Sequence, residues 1–384
     1  MRGLMTKLTL RKNKMIPVNR PLISEEDKDS VMQALSETFI SGETPQVALM
    51  EQRLSNFLNQ SHAIAVSNGS VALDLAIEAA NLPENSECVV PTFTIISSVS
   101  NLMRKGHRLT LVDSDPVTWS MDANLAAGQI SSDTRLVLPV HIYGLPVDID
   151  PILNAAKGLD TFILEDAAEA LGVEYKERKA GGLATASTHS FYANKTITGG
   201  EGGAIATNDD SFAKRLRYLR NLCFEAEERF VHRELGWNYR ISGLSAALIA
   251  SQLTRIPELI SKKQNIARKY MQGLKGHPWF TYIPEKTEFS KNGYWVFPIL
   301  LNQNSPFNAK SLQVELKSLG IETRRFFCPI HLQPIAKSFE FKLAGNMRVS
   351  ENLWENGIYL PSGIGTLDSE IEKVVEACWD LVKK

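Results

Sequence analysis

The sequence predicts an α/β protein, with a large lobe built on a mostly parallel sheet and a smaller C-terminal α+β lobe. Three observations carry this prediction. Short apolar β-type runs alternate with helical stretches through much of the chain, as parallel strands joined by crossover helices do. After about Ser242 the pattern changes to a long helical stretch and a mixed tail. The chain has 384 residues, 43% of them hydrophobic, which is more than one compact core usually holds. We therefore divide it into a loose basic tail (1–15), a large domain (16–250) and a small C-terminal domain (251–384).

The elements follow in order. Residues 24–35 (SEEDKDSVMQAL) read as a helix capped by Ser24, with acidic residues in its first turn. Residues 45–57 read as an amphipathic helix. A strand at 63–67 (AIAVS) precedes a helix over 71–80, and a strand at 88–90 precedes a helix ending near Met103. Strands follow at 109–112, 136–140 and 161–164. Beyond Ser242, a helix over 246–253 is interrupted by Pro257 and resumes to Tyr270. Residues 294–301 read as a strand, 309–319 as a helix and 369–382 as a terminal helix.

Composition excludes several function classes. With 42 basic and 43 acidic residues the net charge is −1, which gives no electrostatic reason to expect nucleic-acid binding. The tail MRGLMTKLTLRKNKM is basic but lacks the continuous apolar stretch of a secretory signal, and Met5 or Met15 could each be the true start. No segment approaches the roughly 18 apolar residues of a membrane span. The four cysteines (88, 223, 328, 378) are far apart and form no CxxC pair. They read as reduced thiols of a cytoplasmic protein with no metal site.

Three segments carry chemistry. Ser67-Asn68-Gly69-Ser70 lies between a strand and a helix, where small residues let helix N–H groups approach a phosphate. Alone, it is also compatible with an ordinary turn. In Ile163-Leu164-Glu165-Asp166-Ala167-Ala168-Glu169 an apolar strand ends in carboxylates. There α/β proteins place ligands, although a surface cap fits equally well. In SFYANKTITGGEGG (190–203), Lys195 sits among small polar residues before a glycine cluster, which is compatible with a flexible loop but not with a Walker-type phosphate loop. Taken together they supply what pyridoxal phosphate (PLP) requires: a lysine amine to hold it, a carboxylate to keep its ring nitrogen protonated, and helix-end donors for its phosphate.

From about Ile16 onward the chain resembles the DegT/DnrJ/EryC1/StrS sugar aminotransferases. The resemblance rests on SNGSVALDLA, VVPTFTIIS, VHIYGLPVDID, EDAAEALG, SFYANKTITGGEGG, LGWNYRIS and PIHLQP, in that order. It implies the aspartate-aminotransferase-like fold, fold type I. It also implies Lys195 as the Schiff-base lysine and proton carrier, Asp166 as partner of the pyridine nitrogen, and Gly69, Ser70 and Ser190 as phosphate holders. Glu169 falls near the cofactor hydroxyl, where many relatives have Gln. Asn238 would reach the phosphate of the neighbouring subunit, which implies a homodimer with shared active sites. His331 and Arg324 would shape a sugar-nucleotide pocket. Ile95 stands where relatives often have an aromatic residue on the ring, a change expected to alter cofactor affinity. GGLATAST departs from the commoner GSFGDAST, without a functional account.

A dehydratase branch of the family has His at the lysine position, so Lys195 favours transamination. NKTIT with GEGG, TWSMD and EDAAEA looks most like perosamine synthases. Those move an amino group from L-glutamate to C4 of a GDP-linked 4-keto-6-deoxy sugar. The other outcomes considered are amination at C3, a PLP-dependent deoxysugar dehydratase, and a non-catalytic PLP-fold regulator. His141, after LVLPV, reads either as a buried bonded histidine or as a site residue. Trp237 and Tyr239 read as packing, and Arg215, Arg217 and Arg220 as a solvated helix face.

Overall fold

The computed structural model describes residues 15–383. Its strands are β1 (His62–Val66), β2 (Glu87–Pro91), β3 (Arg108–Val112), β4 (Thr134–Val137), β5 (Phe162–Asp166), β6 (Glu174–Tyr175), β7 (Arg178–Lys179), β8 (Ala186–Ser190), β9 (Gly203–Thr207), β10 (Phe280–Tyr282), β11 (Phe297–Leu301), β12 (Arg324–Arg325), β13 (Phe341–Ala344) and β14 (Gly357–Leu360). Eight form one sheet in the order β1-β9-β8-β5-β4-β2-β3-β13. Only β9 pairs antiparallel with its neighbours; the remaining ladders are parallel.

Alternation along the strands sorts side chains to two faces. In β1, Ile64 and Val66 join one core with the helices Gly69–Ala80 and Asp210–Arg220. Ala63 and Ala65 join another, with the helices Pro45–Leu58 and Gly243–Leu253. Strand β9 repeats this, with Ile205 on the first face and Ala204 and Ala206 on the second. Alanines on that second face let the two helices lie close to the sheet, where Met50 and Leu54 are fully buried.

The helix Glu25–Ser36 begins at Ser24 in a capping box with Asp27, whose carboxylate also accepts from Arg255 at 2.8 Å. Pro257 lies in the first turn of the helix Ile256–Gly273, so the break falls just before it, at Thr254 and Arg255. The second sheet is antiparallel, in the order β10-β11-β14-β12. Between β12 and β14 the chain returns to the large sheet, where β13 pairs with β3 at its edge.

Two expected strands are shorter than the apolar runs that predict them. Strand β4 stops at Val137 because Pro139 has no N–H for the ladder, and Val140 keeps only an isolated bridge to Asp166. Strand β11 begins at Phe297 because Tyr294 takes a left-handed backbone, φ +51°. Near the N-terminus, Ile16 bridges Ile321 and Val18 N–H donates to Glu322. Of the expected loose tail, only Met15 is among the described residues. Among those residues no helix is long and apolar enough to cross a membrane, and no group of three or more His, Cys, Asp or Glu could hold a metal.

Candidate active site

The three chemical segments meet at the carboxyl edge of the large sheet. After β1, Asn68 caps the helix Gly69–Ala80, its Oδ1 accepting from Val71 N–H at 2.9 Å. The N–H groups of Gly69 and Ser70, in the first turn, have no intrahelical acceptor. Both residues line a cavity of about 480 Å3. Ser190, at the end of β8, lies against this helix start: a Cβ on Gly69 would stand 2.8 Å from Ser190 Cβ and 3.1 Å from its Oγ. Only glycine permits that approach, and it brings helix N–H groups and a serine hydroxyl to one spot.

Asp166 ends β5 and lines the same cavity. Its carboxylate accepts from Ser98 Oγ at 3.0 Å and from Ala168 N–H at 3.2 Å, and Ser98 is in turn bonded to Thr94. Burial raises its pKa, opposed by these hydrogen bonds and by Lys195. A cationic partner would restore the charged form. Lys195 is 12% exposed, with Nζ 3.7 Å from Glu169 Oε1 and 3.9 Å from the centroid of the Trp295 ring. Burial lowers its pKa, opposed by Glu169 and Asp166, which increases the neutral amine available at neutral pH. Glu169 accepts from Tyr143 N–H at 2.9 Å, and burial pushes its pKa up to about 7.

Of the residues expected from the sequence, Gly69, Ser70, Ile95, Asp166, Glu169, Ser190, Lys195 and Arg324 line this cavity. Ile95 is 47% exposed there. Arg324 arrives on β12 opposite Tyr359 of β14, another lining residue. His331 and Asn238 are not brought in. His331 Nδ1 is 2.7 Å from Thr92 Oγ1 and its Nε2 is 3.2 Å from Glu351, so it ties the loop after β2 to the small-lobe segment. Asn238 is exposed and bridges Asn221.

His141 is the buried, bonded histidine. Its Nδ1 accepts from Val147 N–H, so Nε2 carries the proton and donates to Glu165 at 3.1 Å. Trp237 and Tyr239 stack on each other at 5.6 Å, away from the cavity. The arginines read as a solvated helix face make ion pairs away from the cavity: Arg215 with Glu234, Arg217 and Arg220 with Glu51. Trp295, Tyr359, Thr94 and Asn194 also line the cavity and escaped sequence reading. Asn194 Oδ1 is buried without a hydrogen-bond partner among the described residues.

The donors fit PLP: helix N–H groups and a serine hydroxyl suit a phosphate, a buried carboxylate suits a ring cation, and a buried amine suits an aldehyde. A parallel sheet presenting this set at its carboxyl edge defines a PLP enzyme of fold type I. The chain belongs to the DegT/DnrJ/EryC1/StrS aminotransferase family, matched over residues 21–378. It is 32% identical over 362 residues to the GDP-perosamine synthase of Caulobacter vibrioides, covering 94% of this chain and 97% of that protein. It superimposes on Helicobacter pylori PseC, an aminotransferase of pseudoaminic acid biosynthesis, with TM-score 0.88 at 24% identity, over 96% of this chain and 99% of that one. It superimposes as well on an E. coli GDP-4-keto-6-deoxy-D-mannose-3-dehydratase with bound hydrated PLP, with TM-score 0.87 at 23% identity, over 94% and 99%. Aminotransferase and dehydratase share this fold, so the fold does not choose between them.

Proposed function

We propose that this chain is a perosamine synthase-like aminotransferase. It takes an amino group from L-glutamate and delivers it to C4 of a GDP-linked 4-keto-6-deoxy sugar. The observation that carries the reading is a lysine, Lys195, in one cavity with Asp166 and a helix N-terminus, in a chain 32% identical to a GDP-perosamine synthase.

When bound, PLP supplies an aldehyde that takes up the amino group and a ring that draws electrons from the carbon losing its proton. The residues do the rest. Lys195 holds the cofactor, then acts as base and acid, carrying a proton between the substrate carbon and the cofactor. Asp166, oriented by Ser98, holds the proton on the ring nitrogen. Gly69 and Ser70 N–H groups and the Ser190 hydroxyl hold the phosphate. Ile95 would cover part of the ring, and Glu169 stands beside Lys195. Arg324 meets the sugar nucleotide at the cavity mouth. His331 braces the loop after β2 and is left out of the substrate contacts. Asn238, exposed here, reaches the phosphate bound by a second subunit, so we read the protein as a homodimer with shared sites. Four unpaired cysteines support a cytoplasmic location.

The test is to offer the protein, loaded with PLP, a set of GDP-, UDP- and dTDP-linked 4-keto-6-deoxy sugars with and without L-glutamate, and to follow products by mass spectrometry and NMR. The expected result is an amine at C4 of the GDP sugar, with 2-oxoglutarate, only when glutamate is present. Loss of a hydroxyl with the ketone retained would assign a dehydratase and overturn the reading.

A further inference from the structure

Lys195 would leave the cofactor in the first half-reaction and rejoin it at the end of the second, and in between its amine needs a defined place. Asp166 lines the same cavity and, with Glu169, favours the charged amine, and two side chains stand near that amine. Glu169 Oε1 at 3.7 Å is beyond hydrogen-bond distance. The other neighbour is the face of Trp295, 3.9 Å to the centroid.

The indole is held on several sides. Tyr294, just before it, sits at φ +51°, a left-handed backbone that bulky residues avoid. Asn292 Oδ1 secures that turn by accepting from Tyr294 N–H at 2.7 Å. Gly144, at φ +94°, packs so closely that a Cβ there would lie 2.6 Å from both Tyr294 N and Trp295 N. Trp295 is 5% exposed, and its ring stacks with Tyr143 at 6.2 Å and 20°. Its Nε1–H donates at 2.9 Å to the carbonyl of Asn194, the residue before the lysine. Tyr143 N–H in turn binds Glu169. A single packed unit thus sets both of these neighbours of the amine, and backbone strain of this kind gathers where a side chain must be aimed.

We propose that Trp295 is a positioning residue for Lys195: its ring face holds the released amine beside the cofactor, and its N–H fixes the loop that carries the lysine. The inference rests on the reading of Lys195 given above. An aromatic face suits this task. It attracts an ammonium ion through its quadrupole but offers the neutral amine no hydrogen-bond acceptor. The amine can then lose its proton and turn toward the cofactor without breaking a hydrogen bond. A carboxylate at hydrogen-bond distance would hold the proton more tightly.

The ring favours the charged amine, so removing it should lower the pH at which Lys195 loses its proton. The experiment uses the full-length protein loaded with pyridoxamine phosphate, which leaves the lysine free, and the same protein without cofactor. Lys195 is trace-labelled with acetic anhydride across a pH series and read by peptide mass spectrometry. In Trp295→Leu the labelling midpoint should fall by about one pH unit, and in Trp295→Phe, whose face is weaker, by less. If the leucine variant does not fold, biosynthetic replacement of tryptophan by progressively fluorinated analogues keeps the shape and weakens the face. The midpoint should then fall stepwise. A midpoint unchanged or raised across the series overturns the proposal; a purely structural role would lower thermal stability without moving it in this order. If the wild-type protein binds no PLP at Lys195, the proposed function fails, while the labelling series in cofactor-free protein still decides the role of Trp295.

Discussion

Gly69→Ala tests the phosphate end of the site most directly. An added Cβ would meet Ser190 Cβ at 2.8 Å and Ser190 Oγ at 3.1 Å. Carbon atoms pack comfortably at about 3.5–4.0 Å, so the helix start and the end of β8 must separate by about 0.7 Å or more. The groups expected to hold the phosphate lie on both sides of that gap. Spoiling one hydrogen bond to a charged group costs about 1.5–3 kcal/mol, which weakens PLP binding about 10- to 100-fold. In an ordinary helix start the same substitution would be neutral or would stabilise the helix by up to about 1 kcal/mol. The assay pairs an equilibrium titration of cofactor-free protein with PLP and a urea unfolding curve of the cofactor-free form. The expected result is weakened binding with little or no gain in stability. Wild-type affinity, or a clear stabilisation with affinity unchanged, would refute the claim that Gly69 and Ser190 jointly form the phosphate cradle.

Asp166→Asn replaces the carboxylate facing the ring nitrogen with a neutral amide; PLP affinity should fall about 10- to 100-fold by the same titration, and the glutamate half-reaction should slow in stopped-flow measurements. Lys263 is buried, its Nζ donates to the Ser362 carbonyl, and burial alone lowers its pKa to about 7. The unfolded chain therefore holds more protons than the folded one from about pH 7 up to the ordinary lysine range, so this group makes stability rise with pH there, by at most about 1.4 kcal/mol per unit. Lys263→Met should flatten the difference between urea unfolding at pH 7 and pH 9; an unchanged difference would mean that Lys263 stays charged when folded. Leu54 is fully buried in the core beneath β1 and β9, so Leu54→Ala should cost about 2–5 kcal/mol in urea unfolding and leave PLP affinity unchanged.

Much of the site was legible because its parts are local. Asn68-Gly69-Ser70, Asp166 and Lys195 each sit within a few residues of a strand's carboxyl end, and the order of elements alone brings those ends together. The residues that complete the cavity from a distance were not legible. Trp295 reads as part of an apolar run, and only the turn at Tyr294, seated on Gly144, aims it at Lys195. Thr94 and Ser98 look like ordinary polar residues until the fold brings Ser98 to Asp166. His331 shows the opposite case. Its motif suggests a pocket, yet its two ring nitrogens are engaged by Thr92 and Glu351. The return of the chain as β13 was hidden as well, because Phe341–Ala344, with Lys342 and Leu343 exposed, lacks the buried apolar run that marks the inner parallel strands.

The central claim is that Lys195 holds PLP in a cavity built to exchange amino groups with glutamate. The visible spectrum of the purified full-length protein with PLP, before and after L-glutamate, tests it most directly. The account predicts a yellow protein that loses its colour on adding glutamate and gains the near-ultraviolet band of pyridoxamine phosphate, with Lys195→Ala failing to form the yellow species. A protein that stays colourless with PLP, or a Lys195→Ala variant with the same yellow band, would contradict it.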